Sequence, residues 1–203
     1  MSNGLVHDEF TKDLQLPFSI AGGIANFYVS HNIIQAGAVF ITILAGIELQ
    51  RLMTPDLDII SNKKYKYGYY PLYMLYRDFG YIPYWIWRAF WTPYAIVLPH
   101  RSIFSHGLII GTFIRLLYLF IPFGILLGIL YYNFGYNLGY LYEYWPYLVF
   151  FITGFFIADC GHLILDYILP FRRWYESILG ENFQWHNQYH STIDSFDEIN
   201  IIK

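Results

Sequence analysis

The sequence predicts an all-α integral membrane protein: a four-span helical bundle with an interfacial aromatic segment between spans two and three. Three observations predict it. Hydrophobic residues fill 56% of the 203 positions and charged ones only 13%, a balance outside that of soluble domains. The apolar residues fall in long runs, without the alternation of a strand or the narrow stripe of a half-buried helix. Tyr and Trp crowd the ends of those runs, where amphipathic rings favour the boundary between lipid and water.

Each element follows from its own residues. The stretch 17–30 is apolar and rich in small side chains (Ala21, Gly22, Gly23, Ala25), and covers about 21 Å at helical rise. Starting the helix near Leu14 makes 14–30 the first span. His31 and Asn32 form a brief break, so the second span, 33–53, pairs with the first as an antiparallel hairpin. About twenty residues suffice to cross the hydrocarbon layer. The third span covers 103–132 and the fourth 147–169, with Tyr136, Asn137 and Gly139 in the short loop between them. The connection 54–99 differs, being rich in Tyr, Trp and Pro and carrying Lys63, Lys64, Lys66, Arg77 and Arg88. Within it 84–98 resembles a span, but Arg88, Pro93 and the dense aromatics favour a segment lying in the interface. Residues 1–170 make one membrane domain, and 171–203 a soluble tail.

Charge sets the orientation and excludes some functions. The connection 54–101 holds most of the basic residues, Arg172 and Arg173 follow the last span, and the loop 133–143 has none. The positive-inside rule therefore puts the N-terminus, the long connection and the tail on the cytoplasmic, matrix-like or stroma-like side. A net charge of −3 and the absence of a Lys/Arg-rich run argue against nucleic acid as a partner. Asp8, Glu9 and Asp13 near the start are unlike a cleaved signal peptide. The single cysteine, Cys160, allows no internal disulfide.

With four alternating spans, metal-ligand residue types converge on one face of the membrane. His7 precedes span one, and Asp56 and Asp58 follow span two. His100, Ser102, Ser105 and His106 open span three, and Asp159, His162 and Asp166 lie in the last turns of span four. The last three stand at i, i+3 and i+7, along one helical stripe. Bare carboxylates at this depth cost about 2.5–3.5 kcal/mol each on insertion scales; a divalent cation offsets that cost. Mixed nitrogen and oxygen ligation suits Zn, Mn or Fe better than Ca, and the number of candidates leaves room for one or two ions. Each piece alone has a plainer role, as a helix cap, a turn or a surface histidine; their coincidence on one face points to a shared site. Arg115 lies about 18 Å into span three and Asp159 about 15 Å from the inner end of span four. These two are expected to form a buried ion pair, which makes Asp159 structural. Glu48 either pairs or joins the metal shell.

The segment from Ile82-Pro83-Tyr84-Trp85-Ile86-Trp87-Arg88 to Pro99-His100-Arg101-Ser102-Ile103-Phe104-Ser105-His106-Gly107 carries a resemblance. With the early His7-Asp8, the Pro55-Asp56-Leu57-Asp58 run and the late Asp159-x-x-His162-x-x-x-Asp166, it resembles a domain-of-unknown-function family of metal-binding membrane proteins. That family is related to the LexA-regulated membrane-bound metal-dependent hydrolases. The resemblance covers residues 6–170 and implies a small multi-span protein with hydrolase activity. It implies His7, Asp56, Asp58, His100, His106, His162 and Asp166 as metal ligands. Glu48 and the unusually aromatic connection depart from the pattern. Trp185, His186 and His190 lie beyond it, and that histidine pair reads as a solvated helix face.

The functional expectation is a membrane-embedded metal-dependent hydrolase acting at the interface, on a phosphate-bearing lipid or another amphipathic substrate. Metal ions lower the pKa of bound water, Asp58 or Asp166 takes a proton, and Arg101 stabilises a developing anion. The alternative is an accessory subunit of a larger membrane complex that keeps the metal site for stability. Its docking surfaces would be the aromatic region 65–94 and the tail, since Tyr, Trp and Arg anchor interfaces. A metal-ion carrier is disfavoured by the scarcity of polar residues in the outer halves of the spans.

Overall fold

The computed structural model describes residues 4–60, 70–99, 102–135 and 139–179, and among them every regular element is helical. Helix α1 runs Gly4–Ser30 and α2 Ile33–Leu52. The expected break falls between them: His31 turns the chain at a φ of 50°. Asn32 then caps α2, its side chain accepting from the backbone N–H groups of Ile34 and Gln35. A 3₁₀ turn, Pro55–Ile59, follows α2. Helices α3 (Tyr70–Phe79) and α4 (Tyr81–Val97) occupy the aromatic connection. Then come the short α5 (Ile103–His106), α6 (Ile110–Phe134), α7 (Gly139–Glu143), α8 (Trp145–Tyr167) and α9 (Leu169–Leu179).

Among the described residues, three helices are long and apolar enough to cross a membrane: α2 with the turn after it, α6 and α8. Helix α1 is not among them. Its apolar half matches the expected 14–30, but the helix continues back to Gly4 through Asp8, Glu9, Lys12 and Asp13. That polar half is held by partners on other helices. Arg51 of α2 makes a two-pronged ion pair with Asp8, at 2.7 and 3.2 Å, and Tyr175 of α9 donates to Asp13 at 2.7 Å. Residues 171–179 of the expected tail thus belong to a helix that docks on α1, with Tyr175 buried beside Val6 and Leu165. The remainder of the tail, including Trp185, His186 and His190, lies outside the described residues.

The expected third span, 103–132, is corrected in one respect. It is not continuous, because Gly107 adopts an extended conformation (φ −66°, ψ 127°) that separates α5 from α6. Glycine disfavours helix by about 1 kcal/mol relative to alanine, and Ser102 caps α5 as a unit of its own by accepting from the Ser105 N–H.

Helix α2 lies at the centre and packs against both α1 and α8. Its crossing with α8 is a backbone-to-backbone contact. A Cβ on Gly46 would stand 2.1 Å from the Phe151 carbonyl oxygen, and one on Gly154 2.2 Å from that of Ile43. Each glycine faces the other helix's backbone, the small-residue contact by which apolar helices approach closely. Gly154→Val should therefore force the two helices apart and destabilise the fold by about 1–3 kcal/mol. Thermal unfolding in detergent micelles checks this, and a wild-type midpoint would mean that the crossing is not this close.

The aromatic connection forms the floor under the 3₁₀ turn. Met53 and Leu57 are fully buried in one cluster with Trp91, Tyr94, Leu116 and Phe155. Tyr118 of α6 donates to the Phe90 carbonyl at 2.7 Å, tying α4 to α6. Beyond Leu116, by contrast, α6 exposes most of its apolar residues, from Leu117 to Phe134.

Candidate metal centre

Four elements deliver five side chains to one place: His7 from α1, Asp56 from the 3₁₀ turn, His106 from α5, and His162 with Asp166 from α8. Each is aimed by its local structure. Pro55 starts the turn that carries Asp56, and buried Leu57 pins that turn to the aromatic floor. The break at Gly107 lets α5 turn His106 inward, where it is buried. His162 and Asp166 stand one turn apart on the buried stripe of α8.

The geometry suits a cation. His7, His162 and Asp166 offer ligand atoms that all lie within 4.8 Å of one another, and so do Asp56, His106 and His162. His162 belongs to both groups. His7 Nε2 lies 3.2 Å from Asp166 Oδ1, and His106 Nε2 3.3 Å from Asp56 Oδ1. His162 Nε2 lies 3.5 Å from Asp166 Oδ2 and 3.7 Å from Asp56 Oδ2. The imidazoles of His7 and His162 stack with centroids 3.8 Å apart.

Two ligands at about 2.1 Å from a transition ion stand about 3–3.4 Å apart, close to these separations. His162 Nε2 is buried, faces two carboxylates and has no hydrogen-bond partner. Such an orphan in a polar cluster needs a reason, and a cation between the three groups supplies it. Burial pushes the His7 pKa down, His162 beside it adds to the shift, and Asp166 opposes it. The outcome favours the neutral ring, whose lone pair a metal requires.

The sequence named seven ligands, and five of them meet. His100 and Arg101 lie outside the described residues, as does the side chain of Asp58; its backbone belongs to the same turn as Asp56. Asp159 takes the structural role expected of it. It pairs with Arg115 of α6, accepts from Thr112, and accepts from Gln50 at 2.9 Å, all of it buried. Glu48 pairs rather than ligates, with Arg51 at 2.6 Å and the Gln15 amide at 2.7 Å.

Two roles escaped the sequence reading, although Ser105 itself was named among the residues that open the third span. One is that of Arg51, which holds Asp8 and with it the turn of α1 that carries His7. The other is that of the Ser105 hydroxyl, 3.1 Å from His106 Nδ1. Neither partner could be named from spacing, although the single basic residue near the end of an apolar helix was a signal that Arg51 needs a carboxylate.

A comparison with known families agrees with this site. Residues 3–176 match the family described as uncharacterized metal-binding proteins (DUF2227). The chain belongs to this family. The matched region contains all five clustered residues. Neither the curated proteins nor the solved structures contain a match to this chain.

Proposed function

We propose that this member of the family is a membrane-embedded hydrolase that works with one divalent transition ion, Zn, Mn or Fe, at the membrane interface. The observation that carries the proposal is the position of His162 in both ligand groups. An imidazole nitrogen has one lone pair to give, so His162 serves one ion, and the two groups compete for it instead of each holding an ion of its own. Three neutral imidazoles and two carboxylates then balance a divalent charge, which matters where bare charge is costly. Such an ion acidifies a bound water toward neutrality.

The chain's own groups do the rest. Asp56 and Asp166 are the accessible edge of the site, with side chains 25% and 14% exposed, so substrate approaches on that side. Asp166, or Asp58 of the 3₁₀ turn, accepts the proton released from water. Arg101 follows as the group that steadies a developing anion. Membrane integration is supported by the three apolar helices, with the apolar half of α1 as the fourth span. The basic residues of 54–101, with Arg172 and Arg173, support an orientation with both termini on the cytoplasmic, matrix-like or stroma-like face. A site at that depth fits an amphipathic substrate such as a lipid phosphate. Hydrolysis as the reaction is suggested by the resemblance of the His-Arg-Ser-x-x-Ser-His and Asp-x-x-His-x-x-x-Asp runs to those of the LexA-regulated metal-dependent hydrolases.

One observation favours a second reading, an accessory subunit of a membrane complex with a structural ion. His7, His106 and His162 are 3%, 6% and 1% exposed, and closed metal sites are more often structural than catalytic. A hydrolysis screen of the purified, metal-loaded protein over lipid phosphates decides between the two. The hydrolase reading expects turnover that Asp166→Asn lowers by about 100-fold or more. A stoichiometric ion without turnover on any substrate, or turnover that Asp166→Asn leaves intact, would sink it in favour of the structural one.

A further inference from the structure

Ser105 is placed to decide which ring nitrogen of His106 can meet an ion. We propose that Ser105 is a positioning residue of the metal centre, holding His106 in the tautomer whose Nε2 lone pair faces Asp56. The inference deepens the metal-centre reading and rests on it.

Ser105 is fully buried and His106 is 6% exposed. A hydroxyl has one proton to give and two lone pairs to accept with. Ser105 Oγ has four polar neighbours. The carbonyl oxygens of Pro99 and Ser102 lie 3.2 Å away and can only accept. The Ser102 hydroxyl also lies at 3.2 Å, and His106 Nδ1 at 3.1 Å. The Ser105 proton goes to these carbonyls, which also accept from the backbone N–H groups of Ser102, Ser105 and His106. The two Ser105 lone pairs then receive the Ser102 hydroxyl and His106 Nδ1–H. Every polar atom of the hydroxyl is used in this arrangement; in the reverse one, where Ser105 gives its proton to Nδ1, the Ser102 hydroxyl still donates to Ser105 but the second Ser105 lone pair receives nothing.

With the proton on Nδ1, His106 Nε2 carries a lone pair, and it stands 3.3 Å from Asp56 Oδ1. A lone pair facing an ionised carboxylate is a repulsive contact until a cation lies between them. The backbone arranges this. Ser102 caps α5 and brings the two carbonyls and its own hydroxyl around Ser105, so α5 is a short bracket built to orient one imidazole. Ligand histidines held in this way commonly lose 10–100-fold in metal affinity when the outer partner is removed.

The test is Zn²⁺ affinity of the detergent-purified full chain, read by competition with a chelating dye, with the absorption spectrum of the Co²⁺ form alongside. Ser105→Ala should bind Zn²⁺ about 10–100-fold more weakly, with an altered Co²⁺ spectrum and an unchanged unfolding midpoint of the metal-free protein. Ser105→Thr, which keeps the hydroxyl, should recover affinity and spectrum, and Ser105→Cys, closer to serine in volume, should recover part of both. Ser102→Ala removes the helix cap and one donor to Ser105 but leaves the Ser105 hydroxyl, and should weaken binding by a clearly smaller factor than Ser105→Ala does. Wild-type affinity and spectrum in Ser105→Ala would overturn the role, as would an equal loss in Ser102→Ala, which would trace the effect to the cap. If the wild type itself held no Zn²⁺, the metal centre would fall and this role with it, an outcome distinct from either of those.

Discussion

Asp159→Leu should remove about 3–5 kcal/mol of stability, because it leaves a buried guanidinium without its counter-charge. Arg115 and Asp159 are each 1% exposed and bonded to one another. Two of the Arg115 nitrogens, Nε and Nη1, already lack partners, and among the described residues only the neutral Thr112 hydroxyl, 3.5 Å from Nη2, remains to replace the lost carboxylate. At about 2–4 °C per kcal/mol for a chain of this size, the thermal midpoint should fall by roughly 6–20 °C. The double replacement Arg115→Met/Asp159→Leu should recover most of the loss, since removing both charges of a buried pair is often neutral or better. Equal midpoints for wild type and Asp159→Leu would show that the pair does not form. The metal centre would feel the change too, because Asp159 precedes His162 by one turn of α8 and the pair anchors that turn.

His162→Ala should abolish metal retention, whereas His7→Ala or His106→Ala should weaken it by less. Without His162 the remaining groups separate into His7 with Asp166 on one side and Asp56 with His106 on the other, each too small to hold an ion. Elemental analysis should find about one transition ion per wild-type chain and background levels in His162→Ala. The bound ion also stabilises the fold by mass action, about 4 kcal/mol at a concentration a thousandfold above Kd. Adding Zn²⁺ should therefore raise the unfolding midpoint of the wild type and leave that of His162→Ala where it was. Two ions per chain, or equal retention in all three variants, would contradict a single shared centre.

The sequence announced those features that depend on continuous runs and local chemistry. Helices α2, α6 and α8 follow from unbroken apolar stretches, and the α1–α2 turn from the polar pair His31-Asn32. The meeting of His7, Asp56, His106, His162 and Asp166 was expected from a count of four spans, of which three are represented, among the described residues, by helices long and apolar enough to cross a membrane. The ion pair of Arg115 and Asp159 was legible for a related reason: matched depth on neighbouring spans leaves two opposite charges few other choices.

What escaped depends on partners distant in the chain. The backward extension of α1 through Asp8 and Asp13 is stabilised by Arg51 and Tyr175, and no periodicity within residues 4–13 reveals them. The break between α5 and α6 was hidden because Gly107, although it follows the polar pair Ser105-His106, opens directly into the long apolar run from Leu108. The aromatic connection gave its composition readily but not its task, since only the packing of Trp91 and Tyr94 under Leu57 shows that it supports the turn bearing Asp56.

The stacking of His7 on His162 joins α1 to α8, so the ligand set cannot close until α8 has been synthesised. An ion captured at that moment acts as a latch on the finished bundle. Stripping it should loosen the N-terminal turns first, and a protease should then cut the metal-free form there before it reaches the crossing of Gly46 and Gly154.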